Sequence, residues 1–146
     1  MRILLINGPN LNILGTREPE VYGRDTLDEI VARVHSMAQE LGAEVMALQS
    51  NHEGAIVDFI QQNQASADGI VINPGAFGHY SYAIRDAISG SNLPAVEVHI
   101  SNVHAREQFR DRLVLSGVCK GVISGLGWRG YLYALDLLVS MSKEGK

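Results

Sequence analysis

Glu97 stands inside an apolar run, Ala95-Val96-Glu97-Val98. An unpaired carboxylate there is costly, so it calls for a partner, and arginine or histidine is the natural one. His99 lies two residues on, at the carboxyl end of the same run, where a general acid belongs. Ile100 and Ser101 follow with free backbone N–H groups close to a helix start, a setting that suits an anion. Taken alone, His99 reads equally well as a structural histidine satisfied by the main chain.

A second group of chemical residues sits early in the chain. After Arg2-Ile3-Leu4-Leu5-Ile6-Asn7, about 18 residues pass before the next helical pattern, against ~2–6 for an ordinary βα connection. This loop holds Arg17, Tyr22 and Arg24 among Gly15, Pro19 and Gly23. One reading is a turn-rich surface loop; the other is a lid that carries a tyrosine beside arginines. A free tyrosine ionises near pH ~10, and neighbouring guanidinium groups favour the phenolate, which would make a general base.

Other motifs are weaker. Asn73-Pro74-Gly75 forces a turn, with Asn73 readable as a turn cap and His79 as a cap for the helix that follows. Arg106 and Arg110 are four apart and read most simply as surface charge on one helix face. Gly125-Leu126-Gly127-Trp128-Arg129-Gly130 fits G-x-G-x-x-G, but it lies in the last βα unit with no following strand. It is read as tight strand-to-helix packing. There is no H-x-x-x-H, H-E-x-x-H or G-x-S-x-G, and the role of His52-Glu53 stays open.

The elements that must position these residues follow from hydrophobic pattern. Strands are expected at Arg2–Asn7, Glu44–Gln49, Gly69–Asn73, Ala95–Val98 and Gly121–Ser124. Helices are expected after a capping box at Thr26-Leu27-Asp28-Glu29, ending near Gly42, and at Gly54–Gln64, Tyr80–Ser89, Ala105–Arg112 and Tyr131–Met141. Continuous apolar strands alternating with amphipathic helices predict an α/β fold, a flavodoxin-like three-layer sandwich with a five-stranded parallel sheet. Ligands in such folds sit beyond the carboxyl ends of the strands, where the residues above collect.

Composition narrows the function classes. The 146 residues, 46% hydrophobic and 19% charged, suit a single domain over 1–146 and argue against disorder. A net charge of −4 argues against nucleic acid as a partner. No apolar run approaches the ~18 residues of a membrane span, and the start shows no signal-peptide pattern, so a cytoplasmic protein is expected. The single cysteine, Cys119, excludes a disulfide framework and reads as apolar filler. Lysines are scarce: Lys120, Lys143 and Lys146 stand against nine arginines.

Together the loops resemble the type II 3-dehydroquinate dehydratases over nearly the whole chain. The resemblance rests on Asn7-Gly8-Pro9-Asn10-Leu11-Asn12, Leu14-Gly15, Arg17-Glu18-Pro19, Tyr22-Gly23, Ser50-Asn51-His52-Glu53-Gly54 and Ile72-Asn73-Pro74-Gly75-Ala76 with His79. It continues through Glu97-Val98-His99-Ile100-Ser101-Asn102, Arg106-Glu107, Phe109-Arg110, Gly125-Leu126-Gly127 and Gly130-Tyr131, while Asp111–Cys119 is less typical. It implies dehydration of 3-dehydroquinate to 3-dehydroshikimate through an enolate, without Schiff base, metal or organic cofactor. It casts Tyr22 as general base with Arg17 as its activator. His99 becomes the general acid, supported by Glu97, and Asn10 holds the water that stabilises the enolate oxygen. Asn73, Ile100 and Ser101 would bind the substrate carboxylate; His79 and Arg110 would bind ring hydroxyls. Asp86 would reach a neighbouring subunit's site in an assembly of twelve chains. An anionic small molecule suits the arginine-rich loops of this otherwise acidic chain. The scarcity of lysine fits an enolate route better than an imine.

Two alternatives stand beside this. A flavodoxin-fold module for a flavin or phosphate should carry Ser, Thr and Gly in its first loop, where this chain has Pro9, Asn10 and Asn12. A degenerate relative that keeps only the fold should have lost Tyr22, Arg17 or His99, and all three are present.

Overall fold

The computed structural model describes residues 1–16 and 18–145. Its five strands are β1 (Arg2–Asn7), β2 (Glu44–Gln49), β3 (Gly69–Asn73), β4 (Ala95–His99) and β5 (Gly121–Ser124). They form one parallel sheet in the order β2-β1-β3-β4-β5. This is the flavodoxin-like order, and it reverses direction between β1 and β3.

Alternation along the strands decides which side chain meets which layer. Ile3 and Leu5 of β1, Val71 of β3 and Val96 and Val98 of β4 face one side of the sheet. There they pack against Leu27, Ile30 and Val34 of α2 (Leu27–Glu40) and Ala134, Leu135 and Leu138 of α5 (Arg129–Lys143). Leu4, Ile6, Ile70 and Ile72 face the other side. They meet Ile56 and Ile60 of α3 (Glu53–Asn63) and Ile84 and Ile88 of α4 (Tyr82–Ser91). Each such aliphatic side chain contributes about 1.5–3 kcal/mol by leaving water.

Local signals set the helix ends. The expected capping box is present: Glu29 N–H donates to Thr26 Oγ1 at 3.2 Å, and Thr26 N–H to Glu29 Oε2 at 3.3 Å. Gly42, just past α2, has φ +75°, the left-handed stop that glycine supplies freely. Helix α4 starts at Tyr82 rather than Tyr80, because Ser81 caps it by accepting from Ile84 N–H at 3.1 Å. Gly130 lies where an added Cβ would come within 3.2 Å of Ile123 and 3.3 Å of Val98, as the packing reading of the last glycine motif requires.

Two expectations need correction. No α-helix spans Ala105–Arg112. The chain instead makes two 3₁₀ turns, Val103–Ala105 and Gln108–Asp111, with extended backbone at Arg106 between them. Asn102 Oδ1 accepts from His104 N–H and closes the first turn, and the Arg106 side chain turns inward to Ser101. The long first loop also holds regular structure: a 3₁₀ turn at Leu11–Ile13 and a four-residue helix, α1 (Pro19–Tyr22).

Candidate active site

The carboxyl ends of β1, β3 and β4 open onto one pocket, roofed by α1 and walled by the 3₁₀ turns after β4. Asn10, Tyr22, Asn73, His79, His99, Ile100, Ser101 and Arg110 all line it. Two expected site residues, Glu97 and Asp86, do not line it, and Glu97 sits directly behind His99. Asp86 is exposed on α4 and does not line the pocket. Arg17 lies outside the described residues.

Backbone constraints bring the loops together. Gly8 approaches the turn after β3 so closely that a Cβ there would lie 2.2 Å from the Pro74 carbonyl oxygen. Its N–H donates to the Asn73 carbonyl at 2.8 Å. Asn10 adopts φ +68°, and its N–H donates to Asn51 Oδ1 at 3.0 Å. Gly78 is required for a different reason. A Cβ there would meet Pro74 Cγ at 2.7 Å and would press on Glu97 Oε2 and His99 Cε1 at 3.3 and 3.4 Å.

Glu97 is fully buried and finds the partner its position demanded. Its Oε2 lies 2.6 Å from His99 Nε2, and its Oε1 accepts from the Ser116 hydroxyl at 2.9 Å. A carboxylate only accepts, so Nε2 carries the hydrogen and Nδ1 is the nitrogen left for chemistry. His79 stacks on His99 with ring centroids 6.0 Å apart. Its Nδ1 donates to the Arg112 carbonyl at 2.9 Å, leaving Nε2 as the ring's acceptor. Burial lowers the His79 pKa from 6.5, helped by His99 and Arg110 and opposed by the Arg112 bond. A neutral ring that accepts is suited to a hydroxyl group of a ligand.

Asn73 is fixed from two sides. Its Oδ1 accepts from Gly75 N–H at 3.1 Å, and its Nδ2 donates to Tyr131 Oη at 2.8 Å. Tyr131 in turn donates to Asn7 Oδ1 at 2.7 Å. Burial pushes the Tyr131 hydroxyl well above the ordinary tyrosine range, so it stays a donor. The amide of Asn73 therefore keeps one N–H for the pocket. The turn-cap reading of Asn73 is thus correct and compatible with a ligand contact. Ile100 and Ser101 N–H groups take no hydrogen-bond partner among the described residues.

The base candidate is approached by an arginine. The Arg106 guanidinium lies over the Tyr22 ring, 4.9 Å from its centroid, and donates to Ser101 Oγ at 3.1 Å. Arg110 is held by Glu107 Oε2 at 2.8 Å. Both arginines line the pocket, so the surface-charge reading of this pair fails. Lys120 lies at the far end of the sheet, where its N–H donates to the Ala95 carbonyl at the start of β4.

The model of the family described as Dehydroquinase class II matches residues 1–139. The chain belongs to this family. It is 54% identical over 144 residues to a 3-dehydroquinate dehydratase of Halothermothrix orenii, covering 99% of this chain and 97% of that one. It is 56% identical over 142 residues to a catabolic 3-dehydroquinase of Aspergillus clavatus, covering 97% and 95%. The crystal structure of a type II dehydroquinase from Butyrivibrio crossotus superposes with a TM-score of 0.92 at 51% identity, covering 94% of this chain and 97% of that one. For this dehydroquinase-family chain, the flavin- or phosphate-module alternative falls away.

Three residues of the site escaped sequence reasoning. Arginines four apart usually mark a solvated face, and that spacing hides the inward course of Arg106. Ser116 gives no signal of its own, and the Gly130-Tyr131 motif does not disclose the hydroxyl's role, since their partners lie 19 and 58 or more positions away. Cys119 is the filler expected of it: half-buried against the second core, its thiol pushed up to about 12 by burial and by Glu97. No helix among the described residues is long and apolar enough to cross a membrane.

Proposed function

We propose that the chain dehydrates 3-dehydroquinate to 3-dehydroshikimate in two proton transfers divided between Tyr22 and His99. The observation that carries this reading is that the two side chains line one pocket from opposite elements, with Glu97 behind His99. Tyr22, as phenolate, takes a proton from the carbon beside the ketone and leaves an enolate. The enolate collapses to the conjugated enone as the ring hydroxyl departs. His99 Nδ1–H protonates that hydroxyl, so water leaves and no net charge is created. Arg106, over the Tyr22 ring, places a guanidinium beside the proposed base. Arg17 is assigned the activation of Tyr22 on its place in the family motif.

The substrate carboxylate is proposed to rest on the N–H groups of Ile100 and Ser101 and the remaining amide N–H of Asn73, with ring hydroxyls toward His79 and Arg110. Asn10 would hold a water at the enolate oxygen. The ketone takes no covalent bond to the protein in this route. We propose further that twelve chains assemble and that Asp86 serves a neighbour's site, as the exposure of Asp86 away from its own pocket allows. Sedimentation as a 15.9 kDa species with full activity would end that idea.

Adding 3-dehydroquinate and following the ultraviolet absorbance of the conjugated product tests the reading. Absorbance should rise in proportion to enzyme. A flat trace with folded protein would leave the degenerate-relative alternative in its place.

A further inference from the structure

Beyond the residues assigned above, one hydroxyl is bound into the machinery from a segment that carries none of the family motif used here. Glu97 has two oxygens and no access to water. One is taken by His99; the other is satisfied by Ser116 alone among the described residues. We propose that Ser116 is a positioning residue whose hydroxyl holds Glu97 ionised and oriented, so that His99 keeps an acidic Nδ1–H toward the pocket. This inference rests on the reading of His99 as general acid.

The placement of Ser116 does not depend on the bond it makes. Val114 N–H donates to the Gly78 carbonyl at 2.9 Å, and the Val114 carbonyl accepts from Arg85 Nη1 at 2.8 Å. Leu115 is fully buried in the second core, and Val118 N–H closes the 3₁₀ turn Ser116–Val118 on Leu115 at 3.0 Å. The backbone thus delivers the hydroxyl to Glu97 from a fixed point, and removing the oxygen removes one contact. What remains is a buried carboxylate oxygen without a donor, which disfavours the ionised form. A less ionised Glu97 supports the imidazolium of His99 less, so fewer molecules hold the acid proton at high pH.

Among the described residues, the charged and titratable groups around the pair include His79 from the Gly75–His79 turn, Arg110 from the Gln108–Asp111 turn, Arg85 from α4, Cys119 after the Ser116 turn, and Tyr22 and Arg106, which line the pocket with His99. All are unchanged when Ser116 is replaced, so a displaced pH profile reports on the Glu97 bond. With Ser116→Ala, kcat should fall about tenfold, a part of the ~10²–10⁴-fold that an acid or base supplies. KM should stay within about twofold, and the alkaline limb of kcat should move to lower pH. Unchanged kcat and an unmoved limb would overturn the proposal.

Should Ser116→Ala fail to fold, the isosteric pair Ser116→Thr and Ser116→Val decides. Thr keeps the hydroxyl and should keep activity; Val should show the same roughly tenfold fall in kcat, and equal activities would contradict the role. An NMR titration of the His99 ring in the unliganded protein reads the same contact without substrate. Its protonation midpoint should fall in the variant that lacks the hydroxyl, and an identical midpoint would refute the proposal. A wild-type protein that does not turn over 3-dehydroquinate but shows this shift would defeat the function reading and leave the Ser116 contact standing.

Discussion

His99 and Tyr22 face one pocket but are held by opposite means. His99 ends a strand whose five residues are all buried, and it is clamped by Glu97, which Ser116 clamps in turn. Tyr22 ends a four-residue helix with no buried residue, bounded by Glu18 at φ +39° and Gly23 at φ +83°. A non-glycine residue at positive φ is held against its own preference, and short exposed elements open at low free-energy cost. The proposed acid is therefore part of the core, while the proposed base stands on a short segment with no buried residue. That division suits the proposed elimination, in which the substrate must reach both groups.

Substitutions should divide the two regions in the same way. The largest effect is expected for Tyr22→Phe. Turnover should fall by about 10²–10⁴-fold, while thermal unfolding should barely move, because the ring and its contacts remain. A variant with near-normal kcat would remove Tyr22 as the base. Glu97→Ala should instead damage both activity and stability. It leaves the Nε2–H of His99 buried without an acceptor, about 1–3 kcal/mol, and takes the partner of the Ser116 hydroxyl. Denaturant unfolding that matches wild type would show that the strand side is no more committed than the Tyr22 segment.

A smaller effect separates the sides by pH. His79 belongs to the strand side, and its folded pKa lies below 6.5. Above that value the ring is neutral in folded and unfolded chains alike. As pH falls through 6.5, the unfolded chain takes up a proton that the folded one refuses, so stability drops until the folded midpoint is passed. Urea unfolding between about pH 7 and about pH 5 should show this slope, and His79→Gln should flatten it. An equal slope in the variant would trace the loss to other groups.

The two regions also differ in how legible they were. Strand positions, both helical layers and the need of Glu97 for an arginine or histidine partner followed from apolar runs and from the cost of a buried carboxylate, which are local facts. The α2 capping box and the Gly42 stop were equally local. The 3₁₀ turns at Val103–Ala105 and Gln108–Asp111 were not, because such short turns carry no helical periodicity. The inward course of Arg106 depends on the extended backbone between those turns, which its four-residue spacing from Arg110 concealed. Tyr131 lay inside a correctly expected helix, yet its buried hydroxyl serves Asn7 and Asn73 on two strands, and no window of sequence contains all three.

The proposed division of labour between Tyr22 and His99 is tested most directly by hydrogen exchange in deuterated water. 3-Dehydroquinate is incubated with wild type, His99→Ala and Tyr22→Phe, and the protons beside its ketone are followed by NMR. With His99→Ala, Tyr22 should still remove and return the proton, so deuterium should enter the substrate while elimination stalls. With Tyr22→Phe, neither exchange nor product should form. Exchange that persists without Tyr22 and vanishes without His99 would contradict the account by reversing the two roles.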